Sequence, residues 1–426
     1  MFSFVKGLPG QPRRRAENGV AGYQHALSWF TGWAAFVFAT LLGFARLSYG
    51  QLLPALKADL HASYNTLSVV ATLNFAGYLL GTLALPWLLA RVKQQQRLNL
   101  LALLGTQITM IGAALSANSW QLGVWRLTNG VCAAVATVLT MTLSLECIYP
   151  HERGQASGMI WMGGALGLML SGLIAPPIIL AGTAPGWRLV WLIMGGAGIL
   201  AALGFFNVRR RQFDIHIVEN DASSVSLSGE RASTWLALRP LFLPRRLLWL
   251  SLTFFGFGGG YITYFTFFIS LLNQQGVPTL YAGFVWAAIG LAAAASAWIW
   301  GRLLDRRPTG FTLALPLGLG MLGSLAVLTN TPVIEYAGAA LVGLTALLGP
   351  PLMITVLLKR AVPDGVYAVS YSTLTALFAS GQILGPLLGG LIIGWLGLQA
   401  GIASSALLLG LAALCACGYG WVQRGR

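Results

Sequence analysis

The sequence predicts an all-α membrane protein with twelve transmembrane helices in two pseudo-symmetric six-helix bundles. Three observations predict it: apolar runs long enough to cross a bilayer recur along the chain, basic residues fall on one side of those runs, and the two halves repeat. The 426 residues are 56% hydrophobic and 9% charged, whereas soluble domains carry about 25% charged residues. The short alternating segments of a β-barrel are absent. The net charge of +15 would suggest nucleic acid in a soluble protein. Here, cytoplasmic loops enriched in lysine and arginine account for it.

Runs of about 20 apolar residues place the spans. Spans 1 to 6 cover roughly 27–55, 65–90, 98–116, 120–148, 153–181 and 187–208. Spans 7 to 12 cover 246–272, 280–304, 311–329, 334–360, 366–396 and 399–421. The first run begins near Leu27 and lacks a cleavable signal pattern, so an uncleaved signal anchor is expected.

Two arginines, Arg46 and Arg126, lie inside spans. Of the remaining lysines and arginines, only Lys57 and Arg188 fall on the side opposite to all the others. That bias predicts cytoplasmic termini. Residues 1–26 form an N-terminal tail, 27–208 the first bundle, 209–245 a polar linker, 246–421 the second bundle and 422–426 a tail.

The halves match at a nearly constant offset. "GFARLSYG" (Gly43 to Gly50) falls on "GGGYITYF" (Gly258 to Phe265), so Arg46 meets Tyr261 and Tyr49 meets Tyr264. "GGALGLMLSG" (Gly163 to Gly172) runs against "GQILGPLLGG" (Gly381 to Gly390). Two six-span units in one orientation are the parallel-repeat plan of a secondary transporter.

The chain resembles the major facilitator superfamily. "GRLLDRR" (Gly301 to Arg307) is similar to its cytoplasmic loop motif, "RLTNG" (Arg126 to Gly130) to its Arg-x-x-x-Gly motif, and "GQILGPLLGG" to its Gly-Pro-x-x-Gly-Gly motif. "GFARLSYGQLLPALKADL" further resembles the poorly characterised YbfB/YjiJ-type branch. The loop after span 2 lacks the motif's aspartate, and span 5 has Leu168 where the exporter form of the Gly-Pro motif has proline.

The resemblance implies a cavity lined by spans 1, 4, 7 and 10, alternating access, and a gate contact from Asp305 and Arg306. Gly385 and Pro386 join the gate as the smooth, kinkable part of span 11. Packing alone is the competing reading for the glycines.

Arg46 and Arg126 come to comparable depth by helix rise. Each costs about 2.5–3.5 kcal/mol at a helix centre on insertion scales, which favours a position facing the protein interior. With no carboxylate nearby in the spans, an anionic substrate is the expected counter-charge; a structural arginine bonded to carbonyls is the alternative. Tyr49, Asn74, Tyr78, Tyr261 and Tyr264 are candidates to orient that substrate, or else packing residues. Glu146 and Glu335 are the candidates for proton coupling, with uniport and anion exchange also open. Pro386 and the pair Pro350 and Pro351 are expected to break or kink their helices.

No catalytic set stands out, so an enzyme is not expected. His25, His61, His151 and His216 lie at span ends or in loops. Cys132, Cys147, Cys415 and Cys417 read as small buried hydrophobes, with no metal-ligand spacing. No cofactor is expected, and no nucleic acid; lipid, the substrate and protons as one coupling candidate are the partners, for a monomer.

The leading expectation is a transporter of a small organic anion, carboxylate or sulfonate, in the cytoplasmic membrane of a bacterium. Export of amphipathic compounds is the second reading. A non-transporting sensor or scaffold is the third, from another class.

Overall fold

The computed structural model describes residues 29–92, 94–148, 152–181, 185–213 and 245–424. The N-terminal tail to residue 28, most of the linker, His25, His151 and His216 lie outside the described residues, as does the side chain of Asp305.

All twelve expected spans are helices long and apolar enough to cross a bilayer. Span 1 runs Trp29–Asp59. Spans 2 to 6 are Tyr64–Arg91, Gln95–Ala114, Ser119–Glu146, Arg153–Leu180 and Gly186–Phe213. Span 7 is Arg245–Gln274, span 8 Thr279–Arg306 and span 9 Gly310–Ala326. Span 10 is split into Pro332–Ala346 and Gly349–Ala361; span 11 is Asp364–Leu396 and span 12 Leu398–Arg424. Large apolar side chains stay exposed on the periphery, among them Leu101, Leu200, Leu407 and Leu414. In water such a surface would be unfavourable, and lipid covers it without cost. Span 7 is the most enclosed, 94% of its apolar window being buried against 39% in span 12.

Local chemistry sets several helix ends. Ser63 and Asn118 cap spans 2 and 4 by accepting the backbone N–H of Thr66 and Gln121, which satisfies donors that a helix N-terminus leaves open. Span 10 breaks at Leu347 and Leu348, just ahead of Pro350 and Pro351. A proline within a helix removes an N–H donor, so carbonyls before it lose partners. The Trp300 indole of span 8 donates to one of the carbonyls near that break, Leu344 O, at 2.7 Å. Span 11, in contrast, runs unbroken through Pro386.

The repeat is visible in the packing. Span 1 lies on span 5 through Gly163 and Gly167; span 7 lies on span 11 through Gly381 and Gly385. A Cβ on Gly385 would come within 2.4 Å of Gly259 O. Stripping the side chain from one face is what allows such close backbone approach.

The two bundles meet toward the end remote from the chain termini. A Cβ on Gly50 in span 1 would come within 1.8 Å of the Phe265 carbonyl oxygen in span 7. Gly172 of span 5 abuts Gly283 and Ala287 of span 8, and Gly390 of span 11 abuts Ser68 of span 2. Trp286 donates to Ser171 Oγ at 3.0 Å across the same seam. Near the other end, Cβ atoms on Gly154 and Gly158 would meet open space.

Candidate functional site

Span 1 does not pass the middle of the bundle as an ordinary α-helix. Ala39–Leu47 is a nine-residue π-helix, a rare conformation often found at functional sites. It ends in a specific exchange of partners. The Ser48 N–H bonds Gly43 O, five residues back. The carbonyl it passes over, Phe44 O, accepts the Ser48 hydroxyl instead. Trp191 of span 6 then donates to Ser48 Oγ at 3.0 Å. The widened turn also presents Ala45 O sideways, where it accepts Arg126 Nη1 of span 4 at 2.6 Å.

Arg46 projects from this π segment to the opposite bundle. Its Nη2 donates to Gln382 Oε1 of span 11 at 2.7 Å. The other end of that amide, Gln382 Nε2, donates to the Tyr261 hydroxyl of span 7. The guanidinium also lies 4.4 Å from the Tyr78 ring centre and 4.8 Å from that of Phe75, so the ring faces offset part of its charge. Arg46 and Tyr261 are repeat equivalents, and Gln382 joins them.

Arg126 is 3% exposed. Its guanidinium stacks 4.7 Å above the Tyr49 ring. The two arginines are close enough to act on each other electrostatically. Among the described residues neither has a carboxylate partner; Asp59 pairs with Arg188 at 3.0 Å and Glu146 with Arg209 at 3.5 Å. The Nε atoms of both Arg46 and Arg126 are buried without an acceptor. The pair therefore presents donors and positive charge with only neutral acceptors around it.

The remaining residues singled out from sequence divide into two groups. Tyr78 lies at the Arg46 guanidinium, half-buried, and Tyr261 holds the amide of Gln382. Tyr49 and Asn74 are committed elsewhere: the Tyr49 hydroxyl donates to Leu67 O at 2.7 Å, and Asn74 Nδ2 donates to Arg126 O at 2.9 Å and Asn129 Oδ1 at 3.1 Å. Asn129 continues the network to Thr106 O at 2.8 Å. "RLTNG" thus ties spans 2, 3 and 4 together, and Gly130 sits where a Cβ would be 2.0 Å from Asn74 O. Tyr264 is fully buried against Phe268, its hydroxyl without a partner, and Glu335 acts on it electrostatically.

Glu146 was expected inside span 4. It is instead the last residue of that helix, half-exposed and paired with Arg209. Glu335 stands in the first turn of span 10 and is 2% exposed. Arg306 is exposed at the end of span 8. The four cysteines are free thiols, and no group of residues suited to a metal ion occurs among the described residues.

Sequence reasoning missed Gln382 and the rings beside it. Phe254, Phe257, Tyr261 and Phe378 stack in near-parallel planes, Tyr261 and Phe378 at 5.9 Å and 2°. The signal was available: Gln382 is a polar side chain one helical turn before Pro386, within a motif read only for its glycines and proline.

Known proteins share this architecture. The chain is 24% identical over 425 residues to a gallate transporter of Pseudomonas putida, covering 93% of this chain and 91% of that one. A shorter stretch of 113 residues, 26% of this chain and 23% of the other, is 30% identical to a probable chloroplastic anion transporter 5 of Oryza sativa subsp. japonica. Among solved structures, a bacterial homologue of the human lysosomal transporter Spinster, inward-facing and unoccupied, superposes with a TM-score of 0.71 at 17% identity, covering 94% of this chain and 97% of that one. The model of the family described as the uncharacterised MFS-type transporter YbfB matches residues 38–420, and the chain belongs to that family of major facilitator transporters.

Proposed function

We propose that this transporter moves a small organic anion, a carboxylate or sulfonate, by alternating access. One observation carries the reading: Arg46 at the seam and Arg126 within the first bundle have only neutral partners among the described residues. A buried cation without a counter-charge is unfavourable. A guanidinium fork matches carboxylate and sulfonate oxygens, so such a substrate supplies the missing charge. Arg46 is the primary contact because it is the less buried of the two and the only one reaching both bundles. Arg126 holds the π segment and adds positive potential. The gallate transporter and the anion transporter among the relatives support an anionic substrate.

With the termini cytoplasmic, as the basic-residue bias indicates, bundles joined at the remote end describe an inward-facing state of an inner-membrane protein. Of the two coupling candidates, Glu335 is preferred. It is buried without an ion-pair partner among the described residues, whereas Glu146 already has Arg209.

Uptake by proteoliposomes of a panel of carboxylates and sulfonates, gallate included, tests the proposal. At least one acid should be transported by the wild type and not by Arg46→Ala. Equal rates in the two proteins would end the reading.

A further inference from the structure

Arg46 and Tyr261 are joined by a single amide, and the chemistry of that amide is fixed from both sides. A guanidinium can only donate, so it takes the carbonyl end, Oε1. The NH2 end must then face Tyr261, whose oxygen accepts it. The Tyr261 hydroxyl proton is left over as a donor. So are Arg46 Nε–H, which is buried without an acceptor, and Arg126 Nε–H. The orientation of one side chain thereby leaves the Tyr261 hydroxyl proton as a donor beside the two Nε–H groups.

The same amide crosses the seam. Arg46 belongs to span 1 of the first bundle; Gln382 and Tyr261 belong to spans 11 and 7 of the second. A neighbouring bond repeats the crossing, Thr72 Oγ1 of span 2 to Ile383 O at 3.2 Å. Both exist with the remote end closed, where Gly390 lies on Ser68.

The geometry assigns to Gln382 the charge preference of the site: it is the positioning residue that keeps Arg46 and the Tyr261 hydroxyl available to an anion, by bonding both while neutralising neither. It also clasps the bundles in the remote-end-closed state. This rests on the anion reading of Arg46 and goes beyond it, because it predicts what a charge placed at position 382 does. A glutamate there would accept from Arg46 and from the Tyr261 hydroxyl at once. The donors would be occupied, the local charge cancelled, and the clasp strengthened into an ion pair. A methionine of similar volume would remove the clasp and leave the charge.

Two variants, Gln382→Glu and Gln382→Met, are compared in a chain whose four native cysteines are replaced and Ser68→Cys reports the seam. The readout without ligand is the rate at which a membrane-impermeant maleimide labels position 68. Gln382→Glu should slow labelling and Gln382→Met speed it, each by about tenfold, the factor of one charge-assisted hydrogen bond. A merely structural role moves both variants the same way, and either that result or no change in both overturns the assignment. This arm uses no substrate, so its failure is separate from failure of the anion reading. In the second arm, acids that protect wild-type protein from thermal unfolding, gallate and benzoate being the probes, should lose that protection in Gln382→Glu and retain part of it in Gln382→Met. Protection undiminished in Gln382→Glu would likewise overturn it.

Discussion

Spans 1 and 7 are repeat equivalents that meet each other and do opposite things. Span 7 is a continuous α-helix from Arg245 to Gln274, deeply enclosed and lined with aromatic rings. Span 1 opens into a π segment, carries an arginine at the position of Tyr261, and gives Ala45 O to the arginine of span 4. At Gly50 and Phe265, which share one repeat offset, they touch backbone to backbone. The difference shows how a duplicated unit acquires a polar site. One copy keeps the regular, apolar packing. The other widens into a π segment, from which Ala45 O accepts Arg126 and Arg46 reaches across the seam.

The sharpest way to break this comparison is to remove the one charge that distinguishes the copies. Arg46→Ala should abolish anion uptake in proteoliposomes, while Arg46→Lys keeps the charge, loses the fork and retains a small fraction of the rate. The next effect is at the contact itself. Gly50→Val places a side chain where the Phe265 carbonyl already sits at 1.8 Å from the Cβ position. Backbone cannot yield as a flexible side chain does, so the remote end should fail to close. Transport should fall at least about tenfold, with overpacking costing roughly 1–3 kcal/mol in the closed state. Faster thiol labelling of Ser68→Cys would check it.

A third substitution examines the support of the π segment. Asn129→Ala leaves Asn74 Nδ2 with only Arg126 O, so one of its N–H groups loses its acceptor, while Thr106 O keeps the Thr109 hydroxyl. An unsatisfied buried polar group costs about 1–3 kcal/mol, so a lower unfolding temperature in detergent is expected, with substrate preference unchanged. The smallest effect belongs to Tyr49→Phe. It removes one bond to Leu67 O while preserving the ring under Arg126. Hydrogen bonds between membrane helices average about 0.6 kcal/mol, so both stability and uptake should change little. A large loss of uptake in Tyr49→Phe would move that hydroxyl into the binding site and blunt the contrast drawn above.

Most of the fold was legible before any coordinates. Twelve apolar runs become twelve helices because a bilayer forces the backbone to satisfy itself within each run. Of the breaks or kinks expected at prolines, span 10 shows a break before Pro350 and Pro351, while span 11 stays helical through Pro386. Position along the chain also misled at Glu146: an acidic residue near a span end reads as internal when the boundary is drawn two residues late.

The candidate site was less legible. Arg46 and Arg126 stood out because charges in apolar runs are costly; Tyr78 and Tyr261 stood out by helical spacing and repeat position. Asn74 and Tyr49 stood out in the same way, and their polar groups bond neighbouring helices. The sequence contains the cost of each such group but not the partner that meets it.

What the sequence determined by itself, then, is the number of spans, the repeat, the glycine faces and the presence of two unpaired in-span arginines. These follow from local hydropathy and spacing, which need no partner to be read. What tertiary structure alone decided is which carbonyl Arg126 takes, that Gln382 stands between Arg46 and Tyr261, and that Gly50 meets Phe265. Each depends on the relative placement of segments separated by tens to hundreds of residues. Hydrogen bonds act over about 3 Å, so their pairing is set only once the bundles have packed.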